Sequence, residues 1–224
     1  MMKKVKSIFK SESYQYFELA MLAFGGLGIE MLYAFCLEPM IYGHSMAEFT
    51  LVETIIHWTL TIITWMVMAV IIIRTAKKDL GFQLDGNSRK WTGAGIAASC
   101  VLIGLVVFEN FMDVGGLKII HEFQKLGVLK FIFQHIYYLA EVVLFTLIIV
   151  FGQNALEKLF RKKQIPYGGI LVGLTWGLAH CFSKGSIWTG LITMVLGFLF
   201  GAVYVFLGKD FKKTYIVLAL AFII

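Results

Sequence analysis

Apolar runs close to the ~20 residues needed to cross a ~30 Å hydrocarbon layer recur along the chain, near 17–37, 54–73, 91–112, 131–151, 166–183 and 186–207. Short charged connections separate them. A seventh run, from Tyr215 to Ile224, rises only ~15 Å as a helix. Its end is therefore expected either to be buried against protein or to be continued by further residues. Between the third and fourth runs, residues 113–130 set Leu117, Ile119, Ile120, Phe123 and Leu126 among Lys118, Glu122 and Lys125. That mixture predicts an amphipathic helix lying in the outer membrane interface. The expected fold is all-α and polytopic: one domain over 1–224, a bundle of six full transmembrane helices plus a short C-terminal seventh.

Composition leaves little room for a soluble alternative, because 59% apolar residues and a mean hydropathy of +0.81 exceed what a chain of 224 residues can bury in its own core. Charge then orients the bundle. Lys and Arg resist translocation, whereas acidic residues count for little. Sixteen of the 20 basic residues fall in Met1 to Lys10 and the connections around Arg74 to Lys90, Lys158 to Lys163 and Lys209 to Lys213; the alternate connections hold only Lys118, Lys125, Lys130 and Lys184. The N-terminus is thus expected in the cytoplasm of a multi-pass cell-membrane protein. Met1 to Lys10 resembles the basic start of a secretory signal, but Glu12 and Glu18 follow and no small-residue cleavage site closes the run, so helix one reads as an uncleaved anchor. Membrane lipids account for the net charge of +6. No nucleic-acid partner is needed.

Cys36, Cys100 and Cys181 are an odd, widely spaced set without a CxxC pair, which indicates neither a disulfide framework nor a thiolate metal site. Asp85-Gly86-Asn87-Ser88 signals a turn. Gly25-Gly26-Leu27-Gly28 in helix one, and Gly168, Gly169, Gly173, Gly177, Gly190, Gly197 and Gly201 in helices five and six, predict close backbone approach.

Ionisable groups are expensive in hydrocarbon and face a cavity or one another. On the predicted topology, Glu30, His57, Glu109, His135, Glu141 and His180 all fall in the outer half of the bilayer. Glu109, His57 and His135 sit near enough to the interface to be wetted. Glu30 and Glu141 lie deeper, where a structural hydrogen bond and a functional role are both open. His135, Glu141 and His180 form a candidate set of two imidazoles and a carboxylate, of the kind that suits zinc when the geometry converges and one position stays open to water. Glu141 follows His135 by six residues, about 600° of helix, so the two side chains leave the helix over about 100° apart.

At Trp176-Gly177-Leu178-Ala179-His180, preceded by the basic 158–163 connection and by Ile165-Pro166-Tyr167-Gly168-Gly169-Ile170, the last third of the chain resembles the CAAX-protease and bacteriocin-processing family of membrane-embedded proteases. The resemblance implies a helical bundle in which a glutamate activates a water for attack on a peptide carbonyl, with histidines binding a metal or stabilising the oxyanion. Together with the ionisable groups of the outer half, this makes Glu141 and His180 the candidate catalytic residues, His135, Glu30 and Trp176 candidate binding residues, and His180 and His135 candidate metal ligands. Zinc would be the cofactor, and a membrane peptide or prenylated peptide the partner. The chain departs from the family in that Thr146 to Gly152 stand where its paired glutamates belong, and no histidine follows His180. Three readings stay open: a CAAX-type endopeptidase, a non-catalytic immunity or regulatory protein that binds a membrane peptide, and a small transporter with protonatable Glu30 and Glu141.

Overall fold

The structure is a computed structural model that describes residues 11–84 and 90–224. The basic N-terminal decapeptide, Arg89 and the Asp85 to Ser88 turn lie outside the described residues. The described chain is helical with no strand. α1 spans Glu12–Tyr42, with a π turn at Tyr33–Leu37; α2 is Leu51–Leu80, α3 Gly93–Val114, α4 Lys118–Phe160, α5 167–183, α6 Ile187–Phe206 and α7 Phe211–Ile223. α1, α2, α3, α4 and α6 are long and apolar enough to cross a membrane. The sequence predicts a sixth span at 166–183, but α5 is shorter than those five and is interrupted by a π turn at Gly173–Gly177.

Helix starts follow local chemistry. Ser11, Thr92, Ser186 and Asp210 each accept a hydrogen bond from a backbone N–H of the first turn, and Thr50 forms a reciprocal capping box with Glu53. The central element is α4. Val142, Leu144, Phe145, Leu147, Ile148, Ile149 and Phe151 have no exposed surface, because α1, α2, α5 and α7 pack around them. A helix apolar on every side is one that neighbours enclose. α7 is short but buried through Val217, Leu218 and Ala221.

α4 begins well before the predicted residue 131 and takes in most of the 113–130 segment. Gly127, at φ 71° and ψ 170°, breaks it. In a straight helix Glu122 and Tyr138 would stand ~24 Å apart. Instead the Tyr138 hydroxyl donates to Glu122 at 2.7 Å, Gln134 donates to the same carboxylate at 3.1 Å, and the Phe123 and Phe131 rings lie 5.3 Å apart. The chain therefore reverses at Gly127, and an arm from Lys118 folds back along the helix it precedes. Its Lys118 ammonium donates to the Phe222 carbonyl at 2.7 Å.

The glycines of α5 and α6 form a close seam. A Cβ on Gly169 would fall 2.6 Å from the Phe198 carbonyl, one on Gly173 2.6 Å from that of Met194, and one on Gly177 2.7 Å from the Met194 Cα. In α1 only Gly26 is crowded, by Leu144 and Met68; Gly25 and Gly28 face open space, contrary to the expectation for that triplet. At one end of the bundle Lys158 meets Glu12 at 2.5 Å and Lys209 meets Glu157. The start of α1, the end of α4 and the α6–α7 connection are thereby brought together, as the alternation of basic connections requires.

Candidate functional site

The polar residues of the other end fall into two groups joined by α4. In the first, Trp176 of α5 is held edge-on against Phe145 of α4, with ring centroids 4.8 Å apart, and against Phe222 of α7 at 5.7 Å. Its indole N–H donates to Glu141 Oε1 at 2.9 Å. One turn later the His180 ring lies 4.3 Å from the Trp176 ring, and His180 Nδ1 is 2.9 Å from the Trp176 carbonyl oxygen. A carbonyl only accepts, so Nδ1 carries the proton and Nε2 of the neutral ring is an acceptor. Glu141 Oε2 and His180 Nε2 have no hydrogen bond among the described residues. Trp176 thus touches both Glu141 and His180 and leaves Glu141 Oε2 and His180 Nε2 unengaged.

His135 is not part of that group. Its Nδ1 donates to the Phe131 carbonyl at 2.8 Å, its ring packs on Phe131 at 3.9 Å, and its Nε2 is buried. Among the described residues no three His, Cys, Asp or Glu side chains are arranged to hold a metal ion. His135, Glu141 and His180 do not converge into the zinc-holding set expected of them. The six-residue spacing of His135 and Glu141 is the physical reason, since it turns them to different sides of α4.

The positions where the family's paired glutamates belong are dry core. Thr146, Leu147, Ile148, Ile149 and Phe151 are fully buried, and the Thr146 hydroxyl is consumed by the Val142 carbonyl of its own helix. Gln153 is structural as well: it donates to Glu157 and to the Ile165 carbonyl, and accepts from the Gly168 N–H. It fastens the end of α4 to the start of α5.

The second group lies between α1, α2 and α4. His57, expected to be wetted at the interface, is 1% exposed and sits between two carboxylates of α1. Its Nδ1 is 2.7 Å from Glu38 Oε2, and its Nε2 is 3.6 Å from Glu30 Oε1, too long for a hydrogen bond. Glu30 Oε1 in turn accepts from the Tyr137 hydroxyl at 2.5 Å. Glu30 is within electrostatic reach of Glu141, so the two groups communicate across one turn of α4. Glu30 is hydrogen-bonded within this second group and lies within electrostatic reach of Glu141 and His180.

Glu38 and Tyr137 went unrecognised as site residues in the sequence. Eight residues separate Glu30 from Glu38, and a regular helix would leave them roughly 80° apart; the π turn at Tyr33–Leu37 absorbs one residue and brings them within roughly 20°. Glu38 is consequently 3% exposed instead of marking the outer end of the span. A signal for this group does exist. Glu53, His57, Thr61 and Trp65 recur every fourth residue, a polar stripe on an otherwise apolar helix. In the structure His57, Thr61 and Trp65 are all buried, and His57 Nε2, Thr61 Oγ1, Trp65 Nε1 and Glu38 Oε1 have no hydrogen-bond partner among the described residues. A buried polar group left in that state costs about 1–3 kcal/mol.

Cys36, Cys100 and Cys181 are free thiols. No family model matches the chain, and neither does any curated protein or solved structure with which it was compared.

Proposed function

We propose that the chain is a multi-pass cell-membrane protein, similar in build to the CAAX-protease and bacteriocin-processing family, that binds a membrane peptide at Glu141, Trp176 and His180 without cleaving it. α5 makes the sixth crossing, α7 remains a short seventh helix, and the N-terminus is cytoplasmic. The gathering of basic connections at the Glu12–Lys158 end supports that orientation.

One observation carries the functional reading: His180 Nε2 is an unengaged acceptor, and Glu141 Oε2 is likewise unengaged and accepts when the carboxyl is ionised. Acceptors recognise N–H groups, either the backbone of an unfolded peptide segment or an amino group. Stabilising the oxyanion of peptide hydrolysis requires the reverse, donors aimed at developing negative charge. The apolar packing of Thr146 to Phe151 supports the same side, since no carboxylate pair stands there to activate a water.

The test uses the full chain in lipid nanodiscs and a single-span hydrophobic peptide bearing a free amino group and a photoreactive diazirine beside it. Crosslinks to α4 or α5 that disappear in Glu141→Gln, with the peptide recovered intact, are the expected result. Cleavage of the peptide by the unmodified protein and not by Glu141→Gln would replace this reading with the endopeptidase one. Capture by both proteins alike would remove Glu141 from the site.

A further inference from the structure

The geometry points to a second site, unrelated to peptide binding and at the Glu12–Lys158 end of the bundle: a groove between the start of α1 and the end of α2 that seats the primary-amine headgroup of a membrane phospholipid. The groove encloses about 570 Å³, inside the roughly 300–1,000 Å³ of small-molecule sites. That holds a headgroup and the first carbons behind it. α1 lines it with Gln15, Glu18, Met21 and Leu22, and α2 with Thr75 and Asp79. Gln15, Glu18 and Leu22 recur at three- and four-residue spacing, and Thr75 and Asp79 at four, so each helix turns one face to the groove. Leu22 lies ~10 Å further from the start of α1 than Gln15. The polar lining is therefore gathered toward the helix ends, and Met21 and Leu22 lie deeper in the membrane.

The lining is acidic where its surroundings are basic. Arg74, Lys77, Lys78 and Lys158 stand at this end of the bundle, yet the groove is lined by two carboxylates and no basic side chain. Arg74, Lys77 and Lys78 leave α2 at least about 100° round from Asp79, so none shares its face. Among the described residues Gln15, Thr75 and Asp79 have no side-chain hydrogen bond or ion pair. Glu18 has the Tyr14 hydroxyl one turn before it on the same helix.

That chemistry selects the occupant. Two carboxylates attract a cation, and an amide and a hydroxyl beside them accept N–H donors. A headgroup of net negative charge is repelled, whereas one in which an ammonium precedes the phosphate is drawn in amine first. Met21 and Leu22 offer nothing to the hydration shell of a metal ion or a soluble polyamine. An ammonium joined by a short stem to hydrocarbon chains satisfies both halves of the groove, and a phospholipid carries it at the right depth, since the apolar run of α1 begins near residue 17. Its three N–H groups make charge-assisted hydrogen bonds, which the quaternary nitrogen of a choline headgroup cannot. A hollow at the other end of the bundle is a built-in control. At 470 Å³ it is of similar size, but its lining, which includes Phe35, His44 and Ser45, has no carboxylate.

Native mass spectrometry of the full chain in mild detergent, titrated with phosphatidylethanolamine, phosphatidylcholine and phosphatidylglycerol of identical acyl chains, tests the site. The first phosphatidylethanolamine is expected to bind about fivefold more tightly than the first copy of either other lipid, the worth of one solvent-accessible ion pair. Glu18→Gln combined with Asp79→Asn should abolish that preference. Because both side chains are exposed, thermal unfolding of the double variant should match that of the unmodified chain. A diazirine beside the headgroup should crosslink Met21, Leu22 or Thr75 more from the ethanolamine lipid than from the choline lipid, while the hollow at His44 crosslinks equally from both. Equal affinity for the ethanolamine and choline lipids would overturn the proposal, as would a preference that survives the double variant. Carbodiimide coupling of Glu18 or Asp79 to a lysine among residues 1–10 would overturn it in favour of the chain's own basic start as the occupant.

Discussion

The α5–α6 seam and the α1–α2–α4 junction are both buried helix contacts, yet they are built in opposite ways. At the seam, glycines let two backbones meet so closely that no added methyl group fits at Gly169, Gly173 or Gly177. At the junction, small residues such as Ala23, Gly26 and Ala69 are buried as well, but beside them polar atoms of Glu38, His57, Thr61 and Trp65 are buried without partners among the described residues. Dispersion holds the seam, and dispersion has one optimum, a fixed separation. The junction is held by charge, whose strength depends on protonation and on what occupies the space. His180 rides on the rigid element and His57 on the responsive one, so two histidines near the same end of the bundle serve different purposes.

Six substitutions break or sharpen this contrast. The largest effect is expected at the junction: His57→Leu leaves Glu38 buried without its imidazole and should cost about 3–5 kcal/mol in unfolding free energy measured in micelles. Adding Glu38→Met to that variant should recover most of the loss, and a double variant no better than the single would show that shape, not charge, dominates there. At the seam, Gly173→Val drives side-chain atoms against the Met194 carbonyl and should cost about 2–3 kcal/mol. Gly28→Ala, with nothing within 4 Å, serves as its control and should change stability by less than about 0.5 kcal/mol. Between the two regions, Trp176→Phe keeps the ring packing and removes the donor to Glu141, for an expected loss of about 2 kcal/mol; indole fluorescence and thermal unfolding report it. Smallest of all, Lys158→Ala removes an ion pair whose side chains are 41% and 66% exposed. It should cost under about 0.5 kcal/mol, and that little should vanish in high salt.

Hydrophobic run lengths located the helices because a span's length is fixed by bilayer thickness, and the glycines of 168–201 disclosed the seam because spacing alone sets backbone approach. The ends were harder to read. α1 runs on to Tyr42 because Pro39 sits in the first turn after the π turn, where a missing N–H does no harm. α4 begins at Lys118 because Gly127 permits a reversal that no hydropathy window detects. Of the candidate site residues, Glu141, Trp176 and His180 were legible as neighbours on adjacent helices. His135 belongs elsewhere for a rotational reason: phase around a helix decides which residues meet, and six residues turn it away from Glu141. Glu38 was hidden for the same reason, whereas the four-residue stripe on α2 lay in plain view.

The tether from Lys118 to the Phe222 carbonyl joins residues 104 positions apart. During synthesis the arm can fold onto α4 through Glu122 and Phe123 as soon as α4 exists, but Lys118 meets its carbonyl acceptor only once α7 has been made. Closure of this latch therefore waits on α7. A chain shortened before Phe222 would lack this link between the arm and α7.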